Sequence, residues 1–358
     1  MDLSSEVHGN TWALVLADGD GRRLHGLTGN PRGVAVPKQF CSLQDGPSLL
    51  EETLDRAAAI APTRRICTIV AAQHRQWWTG NVGGLPQENV IVQPQNRGTG
   101  HGILLPLLKI ESRDPGAVVV LLPADHHLRD EEKMAASLRH AAALAGVNRT
   151  SIYLLGAEPQ EPDTELGYIV PASRSGHDPA PVLRFIEKPS AERARALLDQ
   201  GALWNMFIVA ASVRALLGLF GCSFAPTIAA MRMLRGAAFD DMYQQLRSVD
   251  FCHDLLHGNE SKLRVLPVPD CGWSDLGTPQ KIAMTLRHLE VERVARMSRR
   301  VADGSINGSI NLADQFGRFA RAGTGTIDFG RFARPGGVES RAEAAGAVSA
   351  RLSTPPGG

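Results

Sequence analysis

The chain has no Cys-x-x-Cys pair, no apolar run long enough to span a bilayer and almost no net charge. Its five cysteines (Cys41, Cys67, Cys222, Cys252, Cys271) are odd in number and scattered, which disfavours a disulfide framework and a structural zinc site. A formal net charge of +1 supplies no global field to recruit nucleic acid or an anionic membrane, so neither is expected as a partner. The opening residues, MDLSSEVHGNTW, lack the charged-then-apolar order of a secretory leader, and a cytoplasmic location is expected. No compact Gly-x-Gly-x-x-Gly turn follows the first apolar run, which argues against a dinucleotide oxidoreductase.

What is present is a rhythm. Runs at 12–17 (WALVLA), 66–72 (ICTIVAA), 89–94 (NVIVQP), 117–125 (AVVVLLPAD) and 151–157 (SIYLLGA) read as strands. The first four are nearly continuous hydrophobics, the pattern of strands covered on both faces. Helical patterns near 48–61, 99–112 and 131–146 lie between them. Strand and helix in alternation predict a Rossmann-like α/β fold, a mixed and mainly parallel sheet flanked by helices. Beyond residue 157 the pattern changes: ELGYIVPA, APVLRFIEKP, LWNMFIVAA and KLRVLPVP are strand candidates, and SAERARALLDQG is a helix capped by Ser190.

The organisation expected is a catalytic domain over 1–290, with lobes of about 10–156 and 157–290, followed by a helix and a Gly/Ala/Arg-rich tail over 291–358. The tail carries a near repeat, FGRFARAG and FGRFARPG, whose two copies are too few to stack as a solenoid. Its acids nearly balance its arginines, which argues against nucleic-acid binding, and a poorly structured tail is expected.

The segment after the first strand, ADGDGRRLHGLTGNPRGVAVPKQF, has the makings of a phosphate cradle. A loop leaving the C-terminal end of a buried parallel strand lies on the rim where α/β proteins bind ligands. Gly19 and Gly21 allow close backbone approach to an anion, Arg23 offers a planar fork, and Lys38 a mobile point charge. A simple strand-to-helix turn would use similar glycines.

Here the chain resembles a known family, the sugar-phosphate nucleotidyltransferases, and within them the mannose-1-phosphate guanylyltransferases. Their signature, L-A-G-G-x-G-T-R-L followed by P-K-Q-F, is matched by Leu16-Ala17-Asp18-Gly19-Asp20-Gly21-Arg22-Arg23-Leu24 and Pro37-Lys38-Gln39-Phe40. Asp18 replaces the first glycine of that pattern, and Arg22 its Thr or Ser. QPQNRGTGHGI (93–103) resembles Q/E-P-x-x-R-x-T-A-x-A-I, and PADHHL (123–128) resembles P-A-D-H. ELGYI, FIEKP and GWSDLGT resemble E-x-G-Y-I, F-x-E-K-P and W-x-D-x-G-T. LWNMF resembles W-N-x-G-x-F without its small residue and glycine, so a different backbone is expected there. The matches run from about residue 12 to 280.

The resemblance implies the nucleotidyltransferase fold, with a nucleoside triphosphate and a sugar 1-phosphate as partners, Mg²⁺ as cofactor, and a homodimer allowed. The activity implied is nucleotidyl transfer from the triphosphate to the sugar 1-phosphate with release of pyrophosphate, best matched by GTP and mannose 1-phosphate. A sister pairing (UTP or dTTP with glucose 1-phosphate) and a non-catalytic regulatory relative are the alternatives. Arg23, Lys38, Asp125 and Asp275 take the catalytic roles, with Asp125 and Asp275 as metal ligands. Read from spacing alone, Asp275 equally serves as a helix cap, as does Thr278. Leu16, Ala17, Gly19, Gly21, Gln93, Asn96, Arg97 and Thr99 would contact the nucleotide. Gly167, Tyr168, Glu187, Lys188 and Asn205 would contact the sugar phosphate, although Gly167 also suits a strand bulge and Glu187–Lys188 a surface pair. His253 and His257 lack a third remote ligand and read as a surface helix rather than a zinc site.

Overall fold

The computed structural model describes residues 10–28, 35–43, 46–173, 176 and 178–302 of the 358. The repeat-bearing tail lies outside the described residues. The chain divides into two compact units, Met1–Asp20 with Leu49–Trp273, and Gly21–Ser48 with Ser274–Gly358.

The first unit is built on a nine-stranded sheet: β1 Thr11–Ala17, β2 Ile66–Ala71, β3 Val90–Gln93, β4 Val118–Pro123, β5 Ile152–Ala157, β6 Tyr168–Pro171, β7 Ala180–Ile186, β8 Leu203–Ser212 and β9 Leu263–Pro267. The strands lie in the order β3-β2-β1-β4-β8-β5-β9-β7-β6. β1, β2, β3 and β4 pair in parallel, as does β5 with β9. The ten-residue β8 runs antiparallel between β4 and β5, and β6 and β7 add further antiparallel pairings. Every residue of β2 and β4 is buried, which is why their sequences are unbroken hydrophobic runs.

The crossovers carry α1 Leu49–Ala58, α2 Gly98–Arg113 and α3 Glu131–Val147. Asp130 caps α3 by accepting from the Lys133 backbone N–H at 3.1 Å. Farther along come α4 Ala191–Asp199, α5 Val213–Phe220, α6 Ala225–Met233 and α7 Ala237–Gln245. Ser190 and Ser212 cap α4 and α5 with their hydroxyls. One core, from Trp12 to Val265, joins strands of both halves of the sheet to α2, while Tyr168, Ala194 and Leu197 anchor a smaller one.

Among the described residues the second unit holds three single-turn helices, Arg22–Leu24, His25–Thr28 and the buried Lys38–Phe40, and the long helix α8, Pro279–Ala302. The Val36 N–H donates to the Thr28 carbonyl at 3.1 Å, and Ser42 bridges Ser48, which folds the segment back on itself.

Candidate active site

Parallel strands deliver three motif residues of the first unit to one rim. Asp18 follows β1, Gln93 ends β3, and Asp125 lies two residues beyond β4. The Ala124 N–H donates to the Leu16 carbonyl at 3.0 Å, fastening the ends of β1 and β4 together, and Ala17 is buried beside them. A Cβ built on Gly19 meets no described atom within 4 Å, so packing does not dictate that glycine. Asp125 is half-exposed, with His126 Nε2 at 3.7 Å from its Oδ1. His126 in turn accepts from the Trp273 indole N–H at 3.2 Å, which holds the ring next to the carboxylate.

The side chain of Asp18 turns inward. Its Oδ2 accepts from Gln93 Nε2 at 2.6 Å, and Gln93 Oε1 accepts from the Tyr243 hydroxyl at 2.9 Å. Gln93 is fully buried with its amide oxygen and one N–H engaged in this chain. Burial pushes the Asp18 carboxyl up to about 6, opposed by its own backbone and by Gln93, and assisted by Asp20 and Asp125.

The segment from 96 to 101 is stitched to 247–251. Gly100 N–H donates to the Val249 carbonyl at 2.8 Å, Val249 N–H to the Arg97 carbonyl at 3.0 Å, and Phe251 N–H to Thr99 Oγ1 at 2.8 Å. Asn96 Oδ1 accepts from Gly98 N–H, and Arg97 donates to the Gln244 carbonyl. Gly98, at φ +83°, is required here: a Cβ would stand 2.3 Å from the Val249 oxygen. The side chains of Arg97 and Thr99 thus have structural partners within the first unit.

The antiparallel half gathers Gly167, Glu187 and Asn205. Asn205 N–H donates to the Gly167 carbonyl at 2.8 Å, and a Cβ on Gly167 would lie 2.6 Å from Glu187 Oε2 and 3.4 Å from Asn205 Cβ. Gly167 is therefore a close-approach position for the Glu187 carboxylate. Asn205 Oδ1 accepts from Phe207 N–H at 3.1 Å, and its Nδ2 meets Cys252 Sγ at 3.5 Å. β7 ends at Ile186, so alternation does not bind the next two residues: Glu187 is half-buried, and Lys188 is exposed at φ +44°. Tyr168 is fully buried, and its hydroxyl accepts from the Asp163 N–H at 2.8 Å.

The LWNMF segment holds a left-handed residue without a glycine. Counted from Trp204, Phe207 falls where the pattern has glycine, and it holds φ +55°. The left-handed turn has a phenylalanine in it, in a strand whose pairing with β5 jumps from Asn205 to Val209 while β5 moves only from Gly156 back to Leu154. The ring packs edge-on against Phe251 at 6.1 Å, which offsets part of the strain.

The second unit unites Lys38 and Asp275. Lys38 is buried and its Nζ donates to the Asp275 carbonyl at 2.6 Å. Gly21, at φ +63°, lies against it, since a Cβ there would sit 3.2 Å from Lys38 N. Asp275 Oδ1 accepts from Lys281 Nζ at 2.6 Å, a partner that the sequence reading did not single out. Thr278 Oγ1 accepts from Lys281 N–H at 3.3 Å and takes the capping role at the start of α8, leaving the Asp275 carboxylate to its ion pair. Gly277 stands under the other carboxylate oxygen, 2.3 Å from a virtual Cβ, and keeps that side of Asp275 unobstructed by a side chain. Arg23 is exposed in its single-turn helix.

Other features fall outside this arrangement. All five cysteines are free thiols, and burial raises those of Cys41 and Cys67 to about 12. His253 pairs with Asp254 and His257 with Glu260, both near the surface, and no group of three metal-binding side chains occurs among the described residues. A groove of about 580 Å³ lies along β3 between Val90, Lys109, Arg113, Arg232 and Phe239, sharing no residue with the motifs.

A sheet whose parallel strands end in a glycine loop and carboxylates, with a second polar cluster on its antiparallel strands, is an α/β arrangement of the kind that binds ligands at strand ends. The chain belongs to the nucleotidyl transferase family, whose profile matches residues 12–291. Xanthan biosynthesis protein XanB of Xanthomonas campestris pv. campestris (strain B100) is 29% identical over 278 residues, covering 74% of this chain and 57% of that protein. A mannose-1-phosphate guanylyltransferase of Klebsiella pneumoniae is 31% identical over 203 residues, covering 54% of this chain and 41% of the relative. A Thermus thermophilus crystal structure, titled mannose-1-phosphate geranyltransferase, superposes with a TM-score of 0.64 at 28% identity, covering 75% of this chain and 76% of the other. The chain spans about half the length of the curated relatives it matches. Among the described residues, no single helix is long and apolar enough to cross a membrane.

Proposed function

We propose that this protein transfers a nucleotidyl group from a nucleoside triphosphate to a sugar 1-phosphate and releases pyrophosphate, with GTP and mannose 1-phosphate as the pair. The observation that carries the reading is the convergence of Gly167, Glu187 and Asn205 from three separated segments. A carboxylate and an amide at a close-approach glycine suit a polyhydroxylated ligand, because both accept from hydroxyls and the amide also donates. The names carried by the relatives supply the mannose and guanylyl parts of the proposal.

The chemistry demands little covalent help. The attacking sugar-phosphate oxygen is already an anion, so the reaction needs positioning and charge neutralisation rather than a strong base. Arg23 and Lys38 are assigned to the triphosphate, Glu187 to sugar hydroxyls and Lys188 to the sugar phosphate. Asp125 and Asp275 are assigned to Mg²⁺. Each is a hard carboxylate of the kind Mg²⁺ takes, Asp125 half-exposed and Asp275 with one oxygen over Gly277. When bound, the ion would neutralise charge on the phosphates.

The decisive assay is pyrophosphate release across several triphosphates and sugar 1-phosphates, with and without Mg²⁺. Turnover confined to GTP with mannose 1-phosphate in the presence of Mg²⁺ is expected. Binding without turnover in every combination would replace this reading with a regulatory one. Asp125→Asn is expected to lower kcat by roughly 10²–10³-fold with an unchanged melting curve, and near-normal turnover would remove Asp125 from the metal role.

A further inference from the structure

The groove along β3 has no part in the proposed reaction, yet its volume of about 580 Å³ lies in the range of small-molecule sites, roughly 300–1,000 Å³. β3 is the outermost strand of the sheet, and Val92 on it is 38% exposed. Leu105 and Leu108 from α2, Met231 from α6 and Phe239 from α7 extend that apolar surface across the groove. Phe239 is held by Tyr243, one turn along α7, with ring centroids 5.6 Å apart.

Cations border this apolar floor. Lys109 and Arg113 lie one turn apart at the end of α2, and Arg232 and Arg235 line the groove from the end of α6 and the link to α7. All four are exposed. Like charges at such spacing repel, a cost that the fold bears unless an anion relieves it. Internal relief is partial. Glu111 pairs with Arg232, Arg113 donates to the Asn89 side-chain oxygen, and Arg235 donates to the carbonyls of Arg232 and Leu234. Among the described residues no carboxylate pairs with Lys109, Arg113 or Arg235, and Glu88 is the one acid lining the groove. The C-terminal ends of α2 and α6, each equivalent to about half a negative charge, offset only part of the excess. An apolar floor with a net positive border is complementary to a ligand with an apolar body and an anionic head.

We propose that this groove is a second ligand site of the protein, taking a small anion with an apolar body. The carboxylate or phosphate of that ligand lies among Lys109, Arg113 and Arg235, and its apolar part lies on Val92 and Phe239. The donors are open. Arg113 and Arg235 each use Nη1 for the hydrogen bonds named above, which leaves Nε–H and the Nη2 hydrogens for a ligand. The Lys109 ammonium has no hydrogen-bond partner among the described residues. Guanidinium forks suit either head group, and the lysine adds a mobile charge. A second copy docking groove to groove would set the same positive charge against itself. The tail beyond residue 302, where arginines outnumber acids, supplies no excess of negative charge either.

The test is equilibrium titration of the full chain with 8-anilinonaphthalene-1-sulfonate, an anion with an apolar body whose fluorescence rises on binding, with and without excess GTP. One molecule is expected to bind per chain, and GTP is expected to leave it in place. Lys109→Gln combined with Arg235→Gln is expected to weaken binding about tenfold or more, with a melting temperature no lower than that of the wild type. Val92→Ser is expected to weaken it about threefold. Phenyl phosphate and benzoate present the two head groups on one apolar body, and the stronger competitor identifies the head group. Inorganic phosphate and benzyl alcohol, which carry only one half of that chemistry, are expected to compete at least about tenfold more weakly than it. Complete displacement of the probe by GTP, unchanged affinity in the double variant, or equal competition by benzyl alcohol or inorganic phosphate would overturn the assignment. A concentration-dependent dimer abolished by the double variant would also overturn it, in favour of a second copy as occupant. Should the double variant fail to fold, Arg235→Gln alone decides, since that side chain bonds only to carbonyls beside it. None of these readings requires turnover, so a protein that releases no pyrophosphate can still pass the test and an active one can still fail it.

Discussion

Two segments of the first unit solve the same problem in opposite ways. Between Gly98 and Gly102 the chain must pass very close to its neighbours, and it does so by having no side chain: virtual Cβ atoms at 98, 100 and 102 fall 2.3–2.5 Å from Val249 or Asp18. Between Glu187 and Phe207 two non-glycine residues hold the left-handed region with their side chains in place, Lys188 at φ +44° and Phe207 at φ +55°, beside the glycine Gly201 at φ +73°. The first solution stores no strain, and at Gly98, where the neighbour is backbone, it leaves no room for a side chain. The second costs about 1–2 kcal/mol per residue, and it persists where the side chain has something to do. For Phe207 that is packing on Phe251; for Lys188 it would be the phosphate role proposed above.

Gly98→Ala should break the contrast most severely. It combines a forbidden φ with a contact no flexible side chain can relieve, and a loss of about 3 kcal/mol or more in chemical denaturation is expected. A loss below about 1 kcal/mol would mean that the 97–101 and 247–251 segments part easily.

Asp18 tests the other side of that glycine-built segment through pH. Its folded carboxyl sits at about 6 against an ordinary value of 3.8 because burial disfavours the charge. The folded state then holds the proton more tightly than the unfolded one, so stability falls as pH rises from about 4 to 6 and stays lowered above that. A difference of about two pH units corresponds to about 3 kcal/mol at most. Asp18→Asn should remove that slope and raise stability at pH 7.5 by about 1–3 kcal/mol, with little change at pH 3.5, as read by urea unfolding. A variant less stable than wild type at pH 7.5 would show that the ionised carboxylate is favourable in the fold.

At Phe207 the expected effect is smaller and its sign is diagnostic. Both Phe207→Gly and Phe207→Ala lose the ring, but glycine should be the more stable of the two by about 1 kcal/mol, the reverse of the order in an ordinary strand. Smallest of all, Lys188→Gly, at an exposed site, should stabilise by about 0.5–1 kcal/mol while raising KM for the sugar phosphate. Stabilisation with unchanged kinetics would strip Lys188 of its assigned role.

Much of this was legible in the residues. The buried parallel strands announced themselves as unbroken apolar runs, and the Ser190 cap was readable from its place before α4. The match of ordered motifs from 12 to 280 agrees with the family that the chain belongs to. Three things were not legible. Nothing near Gln93 signals Tyr243, 150 residues away, and nothing in W-x-D-x-G-T announces that Lys281 will pair with Asp275. And nothing in LWNMF itself announces that Phe207 takes the left-handed turn.

The sequence alone determined the elements and their order, because periodicity and caps are local properties written in neighbouring residues. Tertiary structure decided what each polar side chain does. A hydrogen bond such as Gln93 to Asp18, or the absent Cβ at Gly102, depends on distances between segments that only packing sets. Chemistry at the rim is governed by those distances, and residue type alone leaves them open.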